Sequence, residues 1–316
     1  MKAIVTGGAG FIGSHLVDAL LLFGAKVIVI DDLSTGKMEN ISSLCEFYGP
    51  GNGGDICDFD SLSNIITSDI DVVYHVAALP RVQYSIASPL KTHKANVDGT
   101  VNVLKACVDA NIKRVVISSS SSVYGNQSKL PLTENMKPNP LSPYALHKLI
   151  GEYYAKLFYD LYNLKTVVLR YFNVFGERQD PNSQYSCLIP RSINLLLEDK
   201  SPIIFGDGEQ TRDFNYVDDV VWANMKAAET TKKKAFKGPI NIGANKAYSV
   251  NKIISYLKDI TQKNNIDPIY TDPVIEAKHT LASNKKAKKL LAWEQRVDFK
   301  EGLKKTVEYF KHIKGL

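Results

Sequence analysis

The sequence predicts an α/β protein: a doubly wound parallel sheet, followed by a smaller C-terminal lobe. Three observations lead there. Short β-branched runs alternate with amphipathic segments through the first half, a glycine-rich turn directly follows the first run, and the alternation loosens beyond about residue 175. Continuous apolar runs suit strands covered on both faces, and their alternation with helices implies right-handed crossovers between parallel neighbours.

Taken in order, residues 2–6, 26–30, 71–76, 114–118 and 166–170 read as buried strands, with helices over 11–23, 58–67, 89–109 and 143–162. The stretch Gly49-Pro50-Gly51-Asn52-Gly53-Gly54 reads as a surface turn before Asp55. Further on, prolines at 181, 190, 202, 239, 268 and 273 punctuate shorter elements. The expected division is a first unit over 1–175 and a lobe over 176–316, with a soft boundary and interleaved segments. Such a lobe closes over the carboxyl edge of the strands, where ligands bind in open α/β sheets.

Composition narrows the class. The 316 residues are 44% hydrophobic and 23% charged, ordinary values for a globular protein with a sizeable core. The net charge of +6 is spread out, with runs at Lys232-Lys233-Lys234 and from Lys285 to Lys289 that read as solvated faces, so no nucleic-acid partner is expected. No apolar run reaches membrane length, and a strand starting at Lys2 leaves no room for a leader. The cysteines (Cys45, Cys57, Cys107, Cys187) lie far apart and the six histidines form no ligand cluster, so neither disulfides nor a metal is expected and the reading is cytoplasmic.

The run from Lys2 to Gly13 is strand, glycine turn, helix. Gly7 permits the tight turn, Gly10 lets the backbone approach a pyrophosphate, and Gly13 allows close helix–strand packing; Phe11 and Ile12 open the helix whose amino end faces the phosphates. The G-x-x-G-x-x-G spacing alone would serve equally as a structural turn. Its context decides: the second strand ends directly in Asp31 and Asp32, and a carboxylate there accepts from a ribose 2′-hydroxyl and repels a 2′-phosphate. The sheet is therefore read as Rossmann-type and its ligand as NAD rather than NADP.

Chemistry comes from Ser142-Pro143-Tyr144-Ala145-Leu146-His147-Lys148. Tyr144 and Lys148 share one face of a helix. A free phenol titrates near ~10; a cation about 4 Å away, at an effective dielectric of about 20, is worth about 4 kcal/mol, which lowers that pKa by about three. Isolated Tyr-x-x-x-Lys pairs are common by chance. The serines Ser118 to Ser122, at the carboxyl end of the strand from Arg114, give the pair a partner, since a hydroxyl there can bond a substrate oxygen and pass protons to Tyr144.

Together these residues resemble the extended short-chain dehydrogenase/reductase family, in particular its nucleotide-sugar 4-epimerases. The resemblance covers nearly the whole chain: Gly7 to Gly13, Asp31, Gly54-Asp55-Ile56, His75-Val76-Ala77-Ala78, Asn96 to Thr100, the serine run, Tyr144 with Lys148, Arg170 to Gly176, Arg178 to Asn182, and Gly206-Asp207-Gly208 through Arg212-Asp213-Phe214. It implies NAD held by the glycine turn, Asp31, Asp32, Asp55, Ile56, Ala77, Ala78, Asn96, Ser118, Tyr144, Lys148 and Phe172. It implies Ser120, Tyr144 and Lys148 as the catalytic set. Substrate contacts would come from Ser85, Ser120, Ser121, Ser122, Tyr144, Asn173 and Arg212, and a homodimer from helices near 89–109 and 143–162 packed as a four-helix bundle.

The implied reaction is 4-epimerisation of a UDP-sugar through a transient 4-keto sugar. Related 4,6-dehydratases and decarboxylases place acidic residues just after the catalytic serine, where this chain has Ser121 and Ser122. The segment Lys278-His279-Thr280 resembles the wall that limits room for a 2-N-acetyl group; Thr280 is small, which favours UDP-GlcNAc/UDP-GalNAc together with UDP-Glc/UDP-Gal. One departure stands out: the family's diphosphate arginine is replaced by Pro273, leaving Lys278 or Arg191 as substitutes. The alternatives are a uronate epimerase or 4,6-dehydratase, and a non-catalytic NAD-binding protein on the same fold.

Overall fold

The computed structural model describes residues 1–181, 187–273 and 277–316. Strand β1 (Lys2–Thr6) leads through the glycine turn into α1 (Phe11–Leu22), followed by β2 (Lys26–Ile30), β3 (Glu46–Tyr48), α2 (Phe59–Ile65) and β4 (Val72–His75). Next come α3 (Val82–Ala87), α4 (Pro89–His93), a widened turn over Lys94–Asp98, α5 (Gly99–Asp109), β5 (Val115–Ser120), α6 (Pro143–Tyr162) and β6 (Thr166–Tyr171). The chain continues with β7 (Asn173–Phe175), α7 (Leu188–Leu197), β8 (Ile203–Phe205), β9 (Thr211–Tyr216), α8 (Val217–Glu229) and β10 (Ile240–Ile242). It ends with β11 (Ala247–Ser249), α9 (Val250–Thr261), β12 (Ile269–Thr271), α10 (Lys285–Leu291) and α11 (Phe299–Lys314).

Seven strands form one parallel sheet in the order β10-β6-β5-β4-β1-β2-β3, so the order reverses between β1 and β4. The predicted doubly wound sheet is therefore present, and the connections that leave the paired strands β1 and β4 open a crevice at their carboxyl ends. Successive residues of β1 face opposite layers. Ala3 and Val5 pack with Leu16, Val17 and Leu20 of α1 and Val220 and Ala223 of α8, whereas Ile4 packs with Leu62 of α2, Val103 and Leu104 of α5 and Phe158 of α6. Burial on both faces explains why these strands read as continuous apolar runs.

Two strands of the sheet escape the sequence reading. β3 and β10 are three residues each and occupy the two edges. The helix expected over 89–109 is interrupted at Lys94–Asp98, where the wider turn includes Asn96. The chain past residue 175 contributes to both bodies. α8, β10 and α10 join the large sheet's core, while α7, α9 and α11 pack with Phe175, Phe214 and Tyr216 into a separate core.

Candidate active site

A cavity of about 680 Å³ runs along the carboxyl edge of the sheet, from Gly10 and Asp31 at one end to Tyr144 and Lys148 at the other. Its first end is set by backbone. Gly7 has φ +72, and a Cβ there would lie 2.7 Å from the Ala77 backbone; a Cβ on Gly13 would lie 2.0 Å from the Gly7 carbonyl oxygen. Gly10 has open space on its cavity side, its nearest neighbour being the Gly7 oxygen at 3.3 Å. No side chain caps α1, so its amino end is available to an anion. Asp31 ties this turn to β2, accepting from Ala9 N and Leu33 N at 2.9 Å each. Burial nevertheless raises its carboxyl above the ordinary value. Asp32 bonds Ser34, and Phe11, Ile12, Asp32, Asp55, Ile56, Ala77 and Ala78 all line the cavity. A glycine cradle, a helix amino end, a ribose-side carboxylate and an apolar wall fit a dinucleotide without a 2′-phosphate, which is the NAD that the sequence pointed to.

Behind the crevice lies a hydrogen-bond chain that the sequence did not reveal. His75 is buried between Thr6 Oγ1 and Thr100 Oγ1, at 2.9 Å from each. Thr100 donates to Asn96 O, so it must accept from His75 Nε2–H, and His75 Nδ1 then accepts from Thr6. Burial holds the ring neutral, with its pKa lowered to about 3. Asn96 clamps Leu79 from both sides, accepting from its N–H at 2.7 Å and donating to its carbonyl at 3.0 Å. Asn96, expected on the cofactor, thus braces Leu79 of the cavity wall.

At the other end, Ser142 caps α6 by accepting from Ala145 N, with Pro143 in the first turn. Tyr144 therefore lies one turn before Lys148. Tyr144 lies next to Ser120, which helps to pull its phenol down, and Ser120 Oγ accepts from Ser122 N at 3.1 Å. Lys148 Nζ donates to Ser118 O at 2.9 Å, and burial lowers its pKa to about 8, partly offset by Glu152. Burial pushes the Tyr144 phenol above its ordinary value; Ser120 and the charge of Arg81 pull it down. The Lys148 ammonium is held by Ser118, and Arg81 brings a further positive charge that acts on Tyr144.

Beneath these residues, Glu152 accepts from Arg170 Nε and Nη2 at 2.8 and 2.6 Å and from Ser119 Oγ at 2.5 Å. All three are buried, and Arg170 also stacks on Tyr124 at 4.6 Å. This network ties α6, one turn past Lys148, to β5 and β6.

The other predicted site residues have partners within the protein. Ser85 is fully buried, donating to Val82 O and accepting from Tyr144 N at 3.0 Å, so it braces α6 rather than facing the cavity. Phe172 is buried against Tyr124. Asn173 donates to Asp213 O, and Arg212 donates to the carbonyls of Thr211 and Lys278 at 2.9 Å. Thr280 is buried, with its N–H on Thr211 O. Ser120, at the end of β5, and Ser121 and Ser122, in the short turn after it, are partly buried. Pro273 lies beside Gly206, and Arg191 stacks over Phe205. Asn182 falls outside the described residues.

Sequence reasoning missed Arg81, which lines the cavity, and its partner Cys187. Arg81 Nη1 donates to the Cys187 thiol, joining the loop after β4 to the start of α7. Neither belongs to a periodic pattern, so no local signal could have found them.

Comparison with known proteins agrees with this geometry. The chain resembles the UDP-glucose 4-epimerase of Thermotoga maritima, solved with UDP-glucose, with 38% identity, 99% of each chain covered and a TM-score of 0.94. It also resembles the UDP-N-acetylglucosamine 4-epimerase of Methanobrevibacter ruminantium, solved with UDP-N-acetylmuramic acid, at 40% identity, 100% and 99% coverage and a TM-score of 0.92. A third likeness is the UDP-glucuronic acid 4-epimerase of Bacillus cereus, solved with UDP-glucuronic acid and NAD, at 37% identity, 99% and 100% coverage and a TM-score of 0.90. The model of the NAD dependent epimerase/dehydratase family matches residues 3–243, and the chain belongs to that family.

Proposed function

We propose that the protein is an NAD-dependent isomerase that interconverts the two configurations at C4 of a UDP-sugar. The observation that carries this reading is the placing of Tyr144 next to Ser120 and Lys148, at one end of a cavity whose other end is a dinucleotide cradle. NAD, when bound, supplies the hydride acceptor and donor. Tyr144 takes the proton of the sugar 4-hydroxyl through or beside Ser120 and returns it to the 4-keto oxygen after the sugar has turned over. Lys148, fixed by Ser118, supports the cofactor's ribose and adds positive charge near the phenolate. A pure NAD binder needs none of these three side chains.

The relatives act on neutral and on acidic sugars, so the substrate rests on this chain's own residues. Small Thr280 near β9 supports acceptance of UDP-GlcNAc/UDP-GalNAc as well as UDP-Glc/UDP-Gal. Absence of an acid at Ser121 and Ser122 weighs against 4,6-dehydration. The C-terminal lobe around α7, α9 and α11 is assigned to the UDP-sugar and residues 1–175 mainly to NAD. A homodimer is supported by α6, which exposes Leu146, Tyr153, Leu157 and Leu161 along one side. No helix among the described residues is long and apolar enough to cross a membrane; the cytoplasm is the proposed location. The direct test is incubation of the purified protein with UDP-GlcNAc and, separately, UDP-Glc, followed by proton NMR. The galacto isomer at unchanged mass is expected; loss of water, or no product from any UDP-sugar, would overturn the reading.

A further inference from the structure

Arg81 is the least expected charge in the cavity. It sits after β4 at the start of α3, follows Pro80, and has φ +91, a backbone conformation that a non-glycine residue rarely adopts. Strain of this kind is kept where the surrounding structure needs the side chain in one place. The side chain lines the cavity and lies close enough to Tyr144 to pull its phenol down. Its hydrogen-bond partner among the described residues is a thiol, a weak acceptor, and no described carboxylate pairs with it. A guanidinium offers five donors in a planar fork matched to a carboxylate, and among the described residues the thiol takes one donor of this partly buried group.

We propose that Arg81 is a specificity residue that binds a carboxylate carried by the sugar of the UDP-sugar substrate. The inference rests on the epimerase reading and deepens it: acidic UDP-sugars rank above neutral ones at this site. Among the described residues, four other cations line the cavity: Lys37, paired with Glu39, Lys91 on α4, Lys148 and Arg178. Arg178 is paired with Asp18, and Lys148 is bound to Ser118. An anion on the UDP-sugar's pyranose ring, brought to Tyr144 for reaction at C4, has Arg81 as the guanidinium acting at that end.

The test compares kcat/KM for UDP-glucuronate and UDP-glucose in the intact enzyme and in Arg81→Gln and Arg81→Gly. Glycine at 81 relieves the positive φ while removing the guanidinium, so at least one variant keeps the fold. The intact enzyme should prefer UDP-glucuronate, and both variants should lower the acid-to-neutral ratio by about 10-fold or more, as expected for loss of a charge-assisted bond. The loss should appear mainly in KM for the acidic sugar. An unchanged ratio, with both substrates weakened alike, would overturn the proposal and assign Arg81 to the diphosphate or to structure. Turnover of neutral sugars only would also overturn it while leaving the epimerase reading intact. Turnover of neither sugar would sink the reading on which it rests.

Discussion

The two ends of the cavity are built in different ways. The dinucleotide end is local: Gly7, Gly10, Gly13 and Asp31 lie within one β-α-β unit, and backbone geometry does the binding work. The reacting end is assembled from distant segments, with Arg81 after β4, Ser120 at the end of β5, Tyr144 and Lys148 on α6, and Cys187 before α7. Local construction is legible in sequence and tolerates little change at a few glycines. Assembled construction depends on packing between elements, and its charges act on one another across the fold.

Breaking the reacting end should have the largest effect. Tyr144→Phe should lower kcat by about 10²–10⁴-fold, the range for losing a positioned proton donor–acceptor, while bound NAD, measured after denaturation, stays near the level of the intact protein. Turnover within ten-fold of the intact enzyme would refute the assignment. Next comes the support beneath it. Glu152→Gln leaves Arg170 buried opposite a neutral amide and should cost about 3–5 kcal/mol of stability by urea unfolding. Because Glu152 also favours the charged form of Lys148, the variant should lose activity at lower pH than the parent.

The dinucleotide end should respond differently. Gly13→Ala places a methyl 2.0 Å from the Gly7 oxygen, and the turn must shift, costing about 1–3 kcal/mol. Reduced NAD content, restored in part by excess NAD, is the expected result; normal NAD content would show that the turn is more pliant than its contacts indicate. The smallest effect concerns pH. With its pKa lowered to about 8, Lys148 is charged below that pH and neutral above it, so kcat/KM should decline as pH rises through about 8. Arginine stays charged throughout. Lys148→Arg should therefore remove that alkaline limb from the profile, whatever the absolute rate.

The same contrast explains what was legible beforehand. β1, β2 and β6 were readable because residues buried on both faces leave unbroken apolar runs, and the glycines because only they meet the contacts at Gly7 and Gly13. β3 and β10 were not, because three-residue edge strands carry no pattern long enough to see. Tyr144, Lys148 and Ser120 were found as a motif, yet the electrostatics between them were not. The Ser118 carbonyl that captures Lys148 and the guanidinium of Arg81 arrive from other strands and loops. Ser85 and Asn96 show the same limit: the resemblance implied ligand contacts for both, and their side chains serve Tyr144 N and Leu79.

The most direct test of the central claim is epimerisation of UDP-glucose carried out in D₂O, with the product examined by proton NMR at C4. Hydride abstracted to and returned from a cofactor that stays bound never meets solvent, so the galacto product should retain protium at C4. Deuterium at C4 would mean exchange with solvent and would contradict transient oxidation in a closed site built around Tyr144.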